Sequence, residues 1–359
     1  MFKSPLHEMV CTTRTVLWND SCSAAELKYS LEHGAVGATS NPVIVGEVLK
    51  REMPLWKERI SALVARHPCA GEEDLAWKLM EEMSLEAAAL LMPVFERENG
   101  KNGRLSIQTD PRLYRDAPAM VRQALHLGAL APNIIVKIPA TQAGVEAMEE
   151  VTAQGISVNA TVCFSLPQCL AVAEAIERGL TRRQGEGHDI TRMGPVCTIM
   201  VGRIDDWLKV VADREQIITD PSHLEWAGVA VMKKAYRLYQ ERGYRLRLLS
   251  AAFRNHMHWS EFIGGDVVIS PPHSWQKRYN ASDIKVEDRM DRPVQAAVIT
   301  ELTAKFADFR AAYQEGGLTA ERFDSYGPTV RTLRQFIAAF AGVSAVMRDF
   351  MLPNPEVAS

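Results

Sequence analysis

The chain has 359 residues, a hydrophobic fraction of 47% and a formal charge of -3, enough apolar material for one large domain or two ordinary ones, and well suited to an α/β barrel with additions. The charge is nearly balanced and forms no strongly basic block, so no nucleic-acid or membrane partner is expected, while local arginines remain available to small anionic substrates. No stretch approaches a transmembrane run, no apolar signal segment opens the chain, and the six cysteines form no close CxxC pair, so a reducing, cytoplasmic setting is expected with the cysteines as small buried hydrophobes.

In chain order, an apolar run at 14–18 predicts a strand ending at Asn19 and Asp20, and the hydroxyls of residues 21–23 offer a cap for a helix from Ala24. A second strand ends near Thr39 and Asn41, and helices follow at 55–63 and 74–91. Strands at 105–108, near Lys137, and at 156–161 alternate with helices at 118–128, 145–154 and 166–178. The polar interval 181–193, with Gly185 and Gly187, reads as a loop insertion carrying the solvated pair Arg182 and Arg183. Strands at 196–201, 246–252 and 266–270, a helix at 224–240, and helices at 294–309 and 330–340 complete the pattern. Eight strands with intervening helices, and no early GxGxxG fingerprint, predict a (β/α)8 TIM barrel with additional C-terminal helices rather than an open dinucleotide-binding sheet. We expect a single domain over 1–359, with a barrel core near 14–290 and a helical extension at 291–359. That extension is free to cover the mouth, to support the outer helices or to join a subunit contact, and a homodimer is compatible with it.

One stretch stands apart, IIVKIPAT at 134–141. Its β-branched residues suit a buried strand and its proline suits the strand's end. A lysine inside such a run is costly to bury as an unpaired ammonium, and burial lowers its pKa. A neutral amine at a strand end is a nucleophile able to form a Schiff base with a carbonyl. Taken alone, the octapeptide also fits an edge-strand or snorkelling lysine.

The order of motifs bears on that choice. TVLWND at 15–20, GATSNP at 37–42, SIQTDPRL at 106–113, IIVKIPAT, GISVNATVCFS at 155–165, VGRIDDW at 201–207 and AAFRN at 251–255 together resemble the transaldolase family over most of residues 14–270. The resemblance implies that Lys137 is the Schiff-base lysine on the fourth strand and Asp20 a first-strand carboxylate used in proton transfer. It implies that Asn41 and Asn159 orient substrate hydroxyls and the lysine, and that Thr161 helps position water. Arg203 and Arg254 match phosphate-contact positions, and Thr198 retains a hydroxyl where relatives often have serine. Other uses of the same side chains stay open: Asp20 as a turn or helix cap, Asn41, Asn159 and Thr161 as partners of strand-end backbone, and Arg203 as the ion-pair partner of Asp205 or Asp206.

The chain departs from the family pattern at three positions. Gln108 stands where glutamate is general; it orients water by hydrogen bonding but is no ionised base. The same glutamine resembles fructose-6-phosphate aldolases. Ala252 replaces a serine at the phosphate end, and Met200 replaces an aromatic residue. His256 and His258 lack convincing acidic or cysteine partners in the sequence, so packing or surface roles are expected rather than a metal site, and His273 reads as a loop residue.

The implied activity is transfer of a dihydroxyacetone unit between phosphorylated ketose and aldose substrates, typically fructose 6-phosphate and erythrose 4-phosphate, through a lysine Schiff base with no metal or organic cofactor. Gln108 makes direct aldol cleavage the enzymatic alternative. A sugar-phosphate binding protein with reduced catalysis is the non-enzymatic one.

Overall fold

The computed structural model describes residues 2–356. Eight strands, β1 (Val16–Leu17), β2 (Gly37–Thr39), β3 (Arg104–Gln108), β4 (Ile134–Pro139), β5 (Val158–Cys163), β6 (Val196–Ile199), β7 (Arg247–Ser250) and β8 (Val268–Ile269), pair in parallel in the order β1-β8-β7-β6-β5-β4-β3-β2. The two ends of that order also meet: Asn19 N–H donates to Gly37 O at 2.8 Å and Thr39 N–H donates to Asn19 O at 2.9 Å. The expected barrel is therefore closed by hydrogen bonds all round, with no free edge.

The strands are buried on both faces, as parallel strands covered by helices must be. Val16, Trp18, Val36, Ile135, Val196, Leu249, Ala251 and Val268 form an apolar layer of their own inside the barrel. Trp18 fits there because Gly37 has no side chain; a Cβ at that position would lie 2.5 Å from the indole. On β5 the register shifts between Ala160 and Cys163, and Val162 holds a φ of 53°. A β-branched residue in the left-handed region is strained, and a bulge re-aims the side chains beside it. The strain thus sits directly after Thr161.

Two long helices, Pro42–Arg66 and Glu72–Arg97, lie in succession between β2 and β3, and the first is kinked at Glu52, two residues before Pro54. They pack with the terminal helix Gly327–Met351 around a second apolar core that includes Trp56, Leu79, Met83, Phe340, Val343 and Met347. That helix also buries Leu333 and Phe336 in the main core. It touches β5, the turn Pro111–Leu113 and the helix Val201–Arg214, so it lies across the C-terminal mouth of the barrel.

Several local expectations need correction. The interval 181–193 is not wholly a loop, because the helix Leu166–Gly185 runs through its first third; Arg182 lies in the last turn and pairs with Glu150 at 2.7 Å. Val201 ends no strand but opens the helix Val201–Arg214, one residue after β6. An unbroken apolar run and the lack of a capping side chain at Met200 hide that boundary. The helix expected at 294–309 divides at Phe306, whose extended backbone (φ -116°, ψ 106°) sends a fully buried ring inward, a case of packing overriding helix propensity. Cys163, Cys169 and Cys197 are buried together, with Sγ atoms within 4.8 Å of one another. Among the described residues no helix is long and apolar enough to cross a membrane.

Candidate active site

Successive inward side chains on a strand are two residues apart. Stepping two residues up from the apolar layer leads from Trp18 to Asp20, from Ile135 to Lys137 and from Val196 to Thr198. Gln108 pairs in register with Lys137, and Lys137 with Asn159, so β3, β4 and β5 present amide, amine and amide side by side. The barrel thus changes from an apolar floor to a polar ring within one pleat.

Lys137 is 3% exposed, and among the described residues its Nζ has no hydrogen-bond partner. Burial lowers its pKa below the ordinary lysine value; the negative charge of Asp20 works against that shift and the positive charge of Arg203 adds to it. Asp20 is only partly covered in surface area, yet it sits deep enough in the mouth for desolvation to raise its pKa. Lys137, the Thr39 hydroxyl that donates to Oδ1, and Arg203 all oppose that rise. Asp20 and Lys137 sense each other's charge without forming a contact ion pair.

The neighbours of the amine are held from below. Asn159 donates from Nδ2 to Ser106 Oγ at 2.9 Å and accepts at Oδ1 from Thr198 Oγ1 at 2.6 Å, a buried network that fixes the amide's orientation. Gln108 is 2% exposed and its Oε1 has no partner among the described residues; an orphaned buried carbonyl of this kind calls for water or a ligand group. Among the described residues the Thr161 hydroxyl has only the Met200 sulfur, at 3.9 Å, a weak acceptor. Asn41 caps the helix Pro42–Arg66, its Oδ1 accepting from Val43 and Ile44 N–H at 2.9 and 3.0 Å, so the capping use of that side chain is realised.

A second group of charges lies on the β6–β7 side. Arg203, in the first turn of Val201–Arg214, and Arg254, after β7, face one cavity of about 340 Å³. Arg254 Nε donates to Asp206 at 2.9 Å. Arg203 pairs with neither Asp205 nor Asp206; its Nη1 donates to Gln335 at 2.5 Å, and its buried Nε has no partner among the described residues. Burial and the charge of Arg254 hold the Arg203 guanidinium down to about 10. Gly202 allows this crowding, since a Cβ there would lie 2.1 Å from Ala252 O. Ala252 itself holds a φ of 64° without being glycine.

Asp205 and His258 do other work. His258 Nε2 lies 2.8 Å from Asp205, and His258 Nδ1 accepts from Arg254 N–H at 3.0 Å. Accepting at Nδ1 places the proton on Nε2, facing the carboxylate. The pair is fully buried and positions the backbone that carries Arg254, a role that the HMH spacing does not reveal. Ser106 and Thr39 are further supporting residues that the motifs contain without marking, and Asp206, offered by the sequence as a partner of Arg203, pairs with Arg254 instead; Arg331, Thr332 and Gln335 on the terminal helix belong to no motif.

The sequence profile described as Transaldolase/Fructose-6-phosphate aldolase matches residues 17–322. This chain belongs to that family. Among its relatives, a transaldolase of Thiobacillus denitrificans (strain ATCC 25259 / T1) is 36% identical over 248 residues, which cover 66% of this chain and 67% of that protein. A transaldolase of Arthrobacter sp. (strain FB24) is 32% identical over 63% of this chain and 62% of its own length, and Transaldolase 1 of Streptomyces avermitilis 35% identical over 57% and 54%. The chain thus spans between about half and two thirds of these family members. The profile runs from β1 to the turn before the terminal helix, so the helix that crosses the mouth lies outside the matched residues.

Proposed function

We propose that the protein is a Schiff-base transaldolase acting on sugar phosphates, without a metal or organic cofactor. The observation that carries this reading is a buried lysine, its pKa lowered by desolvation, between a carboxylate and two strand-borne amides inside a barrel mouth. Neutral Lys137 attacks the C2 carbonyl of a ketose phosphate, and loss of water gives an iminium. Asp20 takes the proton of the substrate hydroxyl as the neighbouring carbon–carbon bond breaks, releasing an aldose phosphate. The iminium accepts the electron pair of that bond as an enamine. The bound dihydroxyacetone unit then adds to an acceptor aldose, and hydrolysis restores the amine. Thr161 and Gln108 hold the water used in the addition and loss steps, and Asn41, Asn159 and Thr198 fix the amine and the sugar hydroxyls. Arg203 and Arg254 bind the phosphate through charge-assisted hydrogen bonds.

Gln108 supports a second reading, direct aldol cleavage, because an amide beside the amine orients water without acting as an ionised base. The deciding experiment supplies a donor ketose phosphate with and without an acceptor aldose and resolves all products by mass. Three-carbon transfer that requires the acceptor is the expected result; free dihydroxyacetone in its absence selects the aldolase, and sugar binding with neither product overturns both.

A further inference from the structure

We infer that the terminal helix Gly327–Met351 completes the anion subsite, with Arg331 as a third cation and Thr332 as the hydroxyl donor, so that the site selects a phosphate monoester dianion. This deepens the sugar-phosphate reading above and rests on it for the identity of the rest of the ligand. The cavity holding Arg203, Asp206 and Arg254 is lined on its other side by Arg331, Thr332 and Gln335. Residues 331 and 332 stand four and three positions before 335, so each neighbours it on the helix surface. Arg334, on the same helix, does not line the cavity.

The charges balance for a dianion. Three guanidiniums meet one carboxylate, and Asp206 is already occupied by Arg254 at 2.9 Å. Among the described residues Arg331 has no ion-pair partner, although it stands close enough for its charge to be felt at Arg203. The buried Arg203 Nε is likewise unpartnered. Two guanidiniums with free donors, plus the third held by Asp206, offer more N–H groups than the protein itself satisfies, and a phosphate has the oxygens to accept them. Ala252 supplies no hydroxyl on the β7 side. Thr332, 1% exposed and lining the same cavity, supplies one from the opposite wall. Because Phe340, Val343 and Met347 already fix the far end of the helix in the second core, these groups are placed before any ligand arrives, and a bound phosphate ties the near end of the helix to the barrel.

The full chain and its R331A, R331K, T332V and R334A variants are titrated with inorganic phosphate by calorimetry, then assayed with a phosphorylated ketose and with dihydroxyacetone. R331A is expected to bind phosphate about 10-fold more weakly, with R331K between it and the parent, and T332V is expected to lose about 3-fold. The KM for the phosphorylated ketose rises by a similar factor in R331A, more than kcat falls and more than any change with dihydroxyacetone. R334A removes the same charge from the same helix and should bind phosphate as the parent does. Parent-like phosphate affinity in R331A, or an equal loss in R334A, overturns the inference. The phosphate arm needs no turnover: a parent protein that binds phosphate through Arg331 but never forms an imine overturns the Schiff-base reading alone.

Discussion

The two walls of the mouth are built differently. On the β3–β5 side every polar group stands on a strand, almost wholly enclosed: Gln108 is 2% exposed, Lys137 3% and Asn159 0%. On the β6–β7 side the cations stand on a helix start, on a loop and on the terminal helix, with Arg254 38% exposed along its side chain. Covalent chemistry needs its atoms held to within fractions of an ångström, and strands backed by a packed floor provide that. Anion recognition tolerates more freedom, because long guanidinium arms close on a phosphate from several directions. The comparison teaches that position is fixed where a bond must form and left adjustable where only charge must be met.

The largest effect that can break this contrast comes from Lys137→Ala. Removing the nucleophile should lower kcat by at least about 10⁴-fold and abolish borohydride trapping of a ketose. Phosphate affinity should survive, because the anion wall shares no strand position with the amine. The fold should survive too, since the change removes a buried amine that makes no hydrogen bond among the described residues. Full turnover by the folded variant would remove Lys137 from the chemistry.

The same contrast explains what was legible in the sequence. Lys137 lies in a short apolar strand segment where a charged residue stands out against its neighbours, whereas Gln108, Asn159 and Thr161 were legible only through the resemblance of their motifs to the family; the strand register then sets Gln108, Lys137 and Asn159 side by side. The eight-strand barrel was legible from the alternation of such apolar segments with helices. Helical surfaces carry no such contrast: Arg331 and Arg334 occupy the same helix with the same chemistry, and only three-dimensional placement separates the one that lines the cavity from the one that does not. His258 was hidden by distance, since its partner Asp205 lies 53 positions earlier in the chain. The Thr39 and Ser106 hydroxyls were present in the motifs, but a supporting hydrogen bond has no signature beyond the residue type. The helix Val201–Arg214 was missed because a strand and a helix meet at Met200 inside one apolar run.

An intermediate effect is expected at Arg254. Arg254→Ala removes charge-assisted hydrogen bonds worth about 10- to 100-fold in binding and should raise the KM for a phosphorylated ketose by that factor, while a neutral ketose changes little. Asp206 would then be left beside Arg203, its ion-pair partner gone. Equal losses for phosphorylated and neutral substrates would assign Arg254 to support of the mouth rather than to recognition of the anion, and would blur the division between the walls.

The smallest effect sharpens the comparison most, because it joins the two walls through charge alone. Imine formation requires the neutral amine, so the rate of borohydride-trappable adduct formation with dihydroxyacetone should rise with pH along a limb set by Lys137, and burial places that limb below the ordinary lysine value. Asp20 opposes the shift by favouring the ammonium form, and Arg203 assists it. Asp20→Asn should therefore move the limb to lower pH, since loss of the carboxylate leaves the proton on Lys137 less stabilised. Arg203→Gln should move it in the opposite direction, since loss of a nearby cation makes protonation easier. Opposite displacements from a substitution at the end of β1 and one on the anion wall would show that the amine senses both. A limb unmoved by either would mean that the strand wall sets its own electrostatics and the anion wall serves recognition only.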